Sequence, residues 1–210
     1  QFRPNQGVLL RNETNGKQTA LGIYRADSGK VEALKHYESR PWGIQALNLQ
    51  QHFALELLLR SDIELVTMLG QAGTGKTLLA LAAGLHLVAE KKLYRRIMVS
   101  RPVIPLGRDI GYLPGTKEEK LESWMEPVQD NLKFLVDPQL EQTSEKVDYL
   151  FATGMIEIEA VTYIRGRSLP GLFILIDEAQ NLTPHEVKTA VSRAGKDTKV
   201  ILTGDAYQID

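Results

Sequence analysis

The 210 residues, 43% of them hydrophobic and carrying a formal net charge of −1, describe one ordinary globular domain with room for a small appendage. No apolar run approaches the roughly 20 residues of a membrane span, and without cysteine there is no disulfide, thiolate metal site or thiol catalysis. The lack of cysteine agrees with a cytoplasmic location, and the near-neutral charge says nothing in favour of nucleic acid. The chain opens at Gln1 with neither an initiator Met nor a charged-then-apolar leader. It stops at Asp210 inside a patterned segment, so it reads as a piece of something longer.

Residues 1–40 differ in character from the rest. Asn12–Gly16 and Ala26–Gly29 are turn clusters, and Thr19–Tyr24 and Lys30–Lys35 are set to pair as a hairpin over the Asp27-Ser-Gly turn. This reads as a small β appendage or linker ahead of a main domain over 41–210. Arg40-Pro-Trp-Gly43 is a break, after which Asn48 is placed to cap a helix to about Arg60, with Leu49, Phe53, Leu57 and Leu58 on one stripe. Glu64–Leu69 reads as a short buried strand, Leu78–Ala89 as a mostly apolar helix and Arg96–Arg101 as the next strand. Pro102–Gly115, rich in Pro and Gly, reads as an irregular loop carrying Arg108 and Asp109.

Glu118–Val136 is amphipathic and helical, contains Trp124, and is interrupted or entered anew at Pro127. A further short helix falls within Pro138–Phe151, and Met155–Glu159 alternates as a strand. A basic link, Tyr163–Ser168, leads to the apolar strand Leu172–Ile176. Thr183 then caps a helix from Pro184 to about Arg193, and Lys199–Thr203 is a strand. Apolar strands alternating with helices predict an α/β fold, a parallel sheet covered on both faces.

The chemistry concentrates in Gly70-Gln71-Ala72-Gly73-Thr74-Gly75-Lys76-Thr77, which meets the phosphate-binding pattern G-x-x-x-x-G-K-[ST] at every fixed position. Strand, glycine-rich loop and helix are the setting this motif needs. The glycines let backbone N–H groups turn towards phosphate oxygens, and the helix N-terminus adds partial positive charge. Lys76 is the residue to reach the β- and γ-phosphates, and the Thr77 hydroxyl the one to bind magnesium. A second half follows at the end of the Leu172–Ile176 strand, whose tip carries Asp177 and Glu178. Asp177 is the candidate magnesium holder and Glu178 the candidate base that orients the attacking water. Gln208, closing Thr203-Gly-Asp205-Ala-Tyr-Gln208 after a strand, is placed to touch the γ-phosphate.

Asp177-Glu-Ala-Gln180 followed by Thr203-Gly-Asp-x-x-Gln208 is similar to motifs II and III of superfamily 1 helicases. More closely, the chain resembles the PhoH-like ATPase family. The resemblance is carried by Val66–Thr77, Ser100-Arg-Pro-Val103, Gly111-Tyr-Leu-Pro-Gly115, Tyr163-Ile-Arg-Gly-Arg-Ser168 and the Asp-Glu-Ala-Gln segment, and covers about 40–210. It implies a RecA-like P-loop core in which the Lys199–Thr203 strand lies between the P-loop strand and the Asp177 strand. It also implies ATP and Mg2+ as ligands. Leu47-Asn-Leu-Gln-Gln51 matches the Leu-Asn-x-x-Gln pattern by which such helicases read adenine, making Gln51 the adenine candidate, and Gln208 becomes the γ-phosphate sensor. One branch of the family carries a PIN ribonuclease domain ahead of a hairpin-like segment similar to 1–40 and is linked to RNA unwinding and cleavage. No PIN acidic cluster occurs in this sequence.

The sequence departs from the helicase pattern in having neither later motifs nor a second RecA-like lobe before Asp210. This chain alone would then unwind only by assembling as a homo-oligomeric ring, or not at all, with an arginine finger from a missing C-terminus or a neighbouring subunit. Arg165 and Arg167 are trans-donor candidates and equally candidates for solvated loop residues or RNA phosphate contacts. A nucleic-acid surface could draw on Arg95, Arg96, Arg101, Arg108, Arg165 and Arg167 at or near one sheet edge, although Lys91–Arg96 also suit a helix C-terminus. Trp42 and Trp124 read as core rather than base-stacking residues, and His36, His52, His86 and His185 show no metal-ligand spacing. The first expectation is therefore a helicase-type ATPase acting with RNA. The alternative is a nucleotide-gated assembly module with little hydrolysis, and phosphoryl transfer to a small molecule is disfavoured by Glu178.

Overall fold

The computed structural model describes residues 2–102, 117–136, 143–161 and 168–208, with backbone alone for 117–124 and 143. The expected features at Arg108, Asp109, Arg165, Arg167 and the side chain of Trp124 lie outside the described residues.

Three antiparallel strands, β1 (Gly7–Arg11), β2 (Thr19–Arg25) and β3 (Lys30–Ala33), form a small sheet of their own. The β2–β3 hairpin is as expected; β1, which pairs with β2 from Gly7 opposite Ile23 to Arg11 opposite Thr19, is an addition. The sheet stands on α1 (Leu49–Leu59), with Gly7 so close to Phe53 that a Cβ there would lie 2.8 Å from the ring. Helix α1 is therefore held on two sides. The single stripe expected from the sequence becomes an inner face of Leu55, Leu58 and Leu59 and a half-buried outer face that includes Phe53. Asn48 caps it as expected, its side chain accepting from the Gln51 N–H at 2.9 Å.

The main sheet has five parallel strands in the order β4-β8-β7-β5-β6: β4 (Leu65–Leu69), β5 (Ile97–Ser100), β6 (Ile156–Ile158), β7 (Phe173–Ile176) and β8 (Lys199–Gly204). The strand β8 lies between β4 and β7, the position implied by the family resemblance. One face is covered by α1, α2 (Lys76–Leu85), α3 (Lys117–Val136) and α4 (Thr143–Ala152), with Trp42 packed half-buried against that core. The other face packs on α5 (Pro184–Ser192) through Ile174, Ile176, Val200 and Leu202. Helix α2 can lie close to the sheet because Gly84 faces Phe173 and Ile97, where a Cβ would stand 3.0 and 3.1 Å from their side chains. This is the α/β fold of a P-loop NTPase, a parallel sheet with helices on both faces, with the N-terminal sheet beside it.

Two local expectations change. Glu64–Leu69 reads as buried from its composition, but β4 is the margin of the described sheet. Only Val66 and Met68 turn inward, while Leu65 and Leu69 are 48% and 68% exposed. Pro127 does not break its helix: α3 runs unbroken through it, and the Pro127 carbonyl accepts from Asn131 Nδ2 at 2.7 Å. At the start of α5 local chemistry wins. Thr183 and Glu186 cap it reciprocally, and Pro184 takes its first position.

Candidate functional site

Parallel strands release their chains at the same edge of a sheet, and four of these loops meet there. They follow β4 with the glycine-rich loop, β5 with Arg101, β7 with Asp177 and Glu178, and β8 with Asp205 and Gln208. The Gly70 N–H donates to the Gly204 carbonyl at 3.1 Å, so the glycine-rich loop starts from the β4–β8 ladder. Gly73 and Gly75 adopt φ of 74° and 82°, left-handed values that side chains disfavour, and Gly75 hands the chain directly into α2 at Lys76. The loop is internally bonded. Lys76 Nζ donates to the carbonyls of Gly70 and Gln71 at 2.7 and 2.9 Å, and Thr74 Oγ1 donates to the Gln71 carbonyl at 2.7 Å.

Asp177, only 4% exposed, is the centre of the arrangement. Its Oδ1 accepts from Thr77 Oγ1 at 2.7 Å and from Thr203 Oγ1 at 2.6 Å. The two expected magnesium residues, 100 positions apart in sequence, are thus in direct contact. Glu178 stands next to them with φ 54° and ψ 39°, a left-handed backbone uncommon for a residue with a side chain. Arg101 bridges the acids, its Nε 3.5 Å from Asp177 Oδ2 and its Nη2 3.8 Å from Glu178 Oε1.

Gln51 braces the opposite wall. Its Oε1 accepts from the Leu47 N–H at 2.7 Å and its Nε2 donates to the Thr74 carbonyl at 3.2 Å, tying the start of α1 to the glycine-rich loop. Beside it a groove of about 570 Å³ runs between α1 and β4, with Phe53 and Leu57 among its walls and Lys76 at its end. Gln208 is exposed on the loop after β8, where its N–H donates to the Asp205 carbonyl at 3.2 Å.

Asp205, Gln180 and Thr203 carry contacts that sequence reasoning did not assign to them. Asp205 Oδ2 accepts from the Ala72 N–H of the glycine-rich loop at 2.9 Å, and the Asp205 N–H donates to Gln180 Oε1 at 3.0 Å. The available signal was their place inside the two acidic motifs. The expected basic surface at one sheet edge does not form as drawn. Arg95 and Arg96 precede β5 whereas Arg101 follows it, so strand direction sets them at opposite edges. Arg95 is bonded to the Pro170 carbonyl, Arg96 pairs with Glu157 at 3.1 Å, and Arg101 faces Asp177 and Glu178.

Against known proteins, residues 43–210 match the family described as PhoH-like protein. Protein PhoH2 of Bacillus subtilis is 52% identical over 100% of this chain and 47% of its own length. Protein PhoH2 of Mycolicibacterium smegmatis is 38% identical over 93% of this chain and 43% of its own. The chain thus spans about half the length of the curated relatives it matches. Among solved structures, the Sulfolobus solfataricus SWI2/SNF2 ATPase core in complex with dsDNA superposes with a TM-score of 0.49 at 19% identity, covering 78% of this chain and 33% of that one. The glycine-rich loop and the sheet order describe a nucleotide-binding domain of the P-loop kind, and with the match over residues 43–210 and a relative 52% identical over the whole of this chain, the chain belongs to the PhoH-like protein family.

Proposed function

We propose that this domain binds ATP at Gly70–Thr77 and hydrolyses it with magnesium, in the service of RNA unwinding or processing by the protein that carries it. The observation that carries the hydrolytic part is the convergence of Thr77, Asp177 and Glu178 at one sheet edge. In this reading Lys76 exchanges its two loop carbonyls for β- and γ-phosphate oxygens, and the loop amides and the N-terminus of α2 receive the remaining negative charge. The Thr77 hydroxyl and the Asp177 carboxylate are hard oxygen donors already side by side. They fit a magnesium ion, which they would hold and which would there neutralise phosphate charge. Glu178 orients a water and accepts its proton as the water oxygen bonds to the γ-phosphorus. The bond to the β–γ bridging oxygen breaks, leaving ADP and phosphate. Gln208 touches the γ-phosphate, and the groove beside Gln51, apolar with a polar rim, suits adenine.

Phosphate release from Mg-ATP tests this. Glu178→Gln should lower kcat by about 10²–10⁴-fold with little change in nucleotide affinity; turnover at the wild-type rate would remove Glu178 as the base. The RNA role rests on the family resemblance, and a rise in ATPase rate on adding single-stranded RNA to the full-length protein is its test. The relatives' extra length leaves room for a PIN nuclease domain and for ring-forming contacts. A second reading, nucleotide-gated assembly, draws on the exposed Leu47, Leu69 and Tyr207, which are 85%, 68% and 88% accessible on loops and strand ends at that same edge. ATP-dependent oligomer growth in light scattering with negligible turnover would favour it.

A further inference from the structure

The hydrolytic scheme makes no use of the side chain that joins the two acidic motifs. Gln180 Oε1 accepts the backbone N–H of Asp205 at 3.0 Å. A backbone N–H only donates, so this contact sets the orientation of the amide. Its NH₂ end accordingly donates to Glu178 Oε2 at 2.6 Å and to the Gln208 carbonyl at 3.3 Å. From Gln180 the path continues through Asp205, which is 4% exposed. Asp205 Oδ1 accepts the Tyr207 N–H and Oδ2 the Ala72 N–H, both at 2.9 Å. Glu178, Gln180, Asp205 and Ala72 thus form an unbroken hydrogen-bonded chain from the acid to the glycine-rich loop, with the Gln208 loop attached at two points.

Two observations mark this chain as a built feature. The left-handed backbone of Glu178 is disfavoured on its own, so the neighbours must hold it. Space for the Gln180 amide exists only because residue 204 has no side chain: a Cβ on Gly204 would stand 2.8 Å from Gln180 Oε1. Resting on the reading of Glu178 as the base, we propose that Gln180 and Asp205 are positioning residues. Gln180 holds the Glu178 carboxylate, and Asp205 ties that hold to the Ala72 amide. A ligand that shifts the glycine-rich loop thereby shifts the base.

The test uses the full-length protein with Gln180→Met, Gln180→Glu and Gly204→Ala beside Glu178→Gln. Two quantities are read: affinity for a fluorescent ATP analogue, and the rate of phosphate release at saturating ATP. Gln180→Met should keep affinity within about twofold while kcat falls by about tenfold or more. Gln180→Glu preserves an acceptor for Asp205 but replaces the donor to Glu178 with a repelling carboxylate, so its kcat should fall at least as far as that of Gln180→Met. Gly204→Ala, acting only by displacing the amide oxygen, should fall between wild type and Gln180→Met. A purely structural Gln180 would lower thermal stability while leaving kcat of the folded variant at saturating ATP unchanged. Wild-type kcat in Gln180→Met, with Glu178→Gln inactive, would overturn the inference and leave the base standing. Full turnover by Glu178→Gln would remove the base and this inference with it.

Discussion

Replacing Lys199 by methionine should loosen the join between α1 and the centre of the sheet. Lys199 opens β8 with its side chain fully buried, and its ammonium donates to the carbonyls of Leu57 at 3.0 Å, Arg60 at 2.8 Å and Ile63. These carbonyls end α1 and lead into β4, where intrahelical partners have run out. Burial pushes the Lys199 ammonium down to about 8 against the opposing charge of Asp62, and the three carbonyls hydrogen-bond its charged form. Three bonds to a charged donor contribute on the order of 1.5–3 kcal/mol each. Against this stands the burial penalty relieved by methionine, about 1.4 kcal/mol for each pKa unit of depression. The balance is a loss of about 3 kcal/mol, a large share of the roughly 5–15 kcal/mol that stabilises a domain. Urea unfolding should show it as a lower midpoint, and heating as a Tm lower by about 6–12 °C. The sign of the pH effect follows from the depressed value. Between about 8 and the usual 10.5 the unfolded chain holds a proton that the folded chain has released, so wild-type stability should rise with pH across that window. The variant should lack that rise. A variant as stable as wild type to within about 0.5 kcal/mol would show that the three carbonyls do not depend on Lys199.

Two further substitutions probe other joints. Thr203→Val keeps shape but removes one donor to buried Asp177, and should cost about 1–2 kcal/mol in urea unfolding and raise the magnesium concentration needed for half-maximal phosphate release. Thr183→Ala removes the hydroxyl half of the reciprocal cap of α5 and should lower stability by about 1 kcal/mol with kcat unchanged. Thr183's backbone N–H first, and then its hydroxyl, hold the Glu186 carboxyl below its usual range. That part of the cap is present at neutral pH and fades as the carboxyl protonates in acid; the alanine variant, which keeps the backbone N–H and loses only the hydroxyl, should show a smaller acid loss than wild type.

What could be read in advance was local. The glycine-rich loop, the Asn48 cap, the Thr183-Pro184 start and the apolar run ending in Asp177 each depend on residues within a few positions of one another, where backbone chemistry is legible. The strand β1 was missed because Gly7–Arg11 is largely exposed and carries no alternation to mark a buried face. The apolar composition of β4 reads as burial, but whether a strand is central or marginal depends on pairing partners far away. Pro127 signals a break that its tertiary setting overrides. Asp205 meets Ala72 across 133 positions, and no local pattern announces such a contact. Arg95 and Arg96 were grouped with Arg101 because they are close in sequence, yet a four-residue strand between them carries them to opposite edges.

The position of β8 has a consequence for how the domain comes into being. It follows every other strand in the described sequence, yet it fills the gap between β4 and β7. Closing that gap joins segments well over a hundred positions apart, the kind of loop closure that slows folding. Until β8 is in place, the glycine-rich loop lacks both the Gly204 carbonyl and the Asp205 carboxylate that hold it. On the ribosome, the phosphate-binding loop would therefore emerge early and wait, unformed, while more than a hundred further residues are made. Nucleotide added to stalled nascent chains should be retained only by those in which the segment through Gln208 has cleared the exit tunnel.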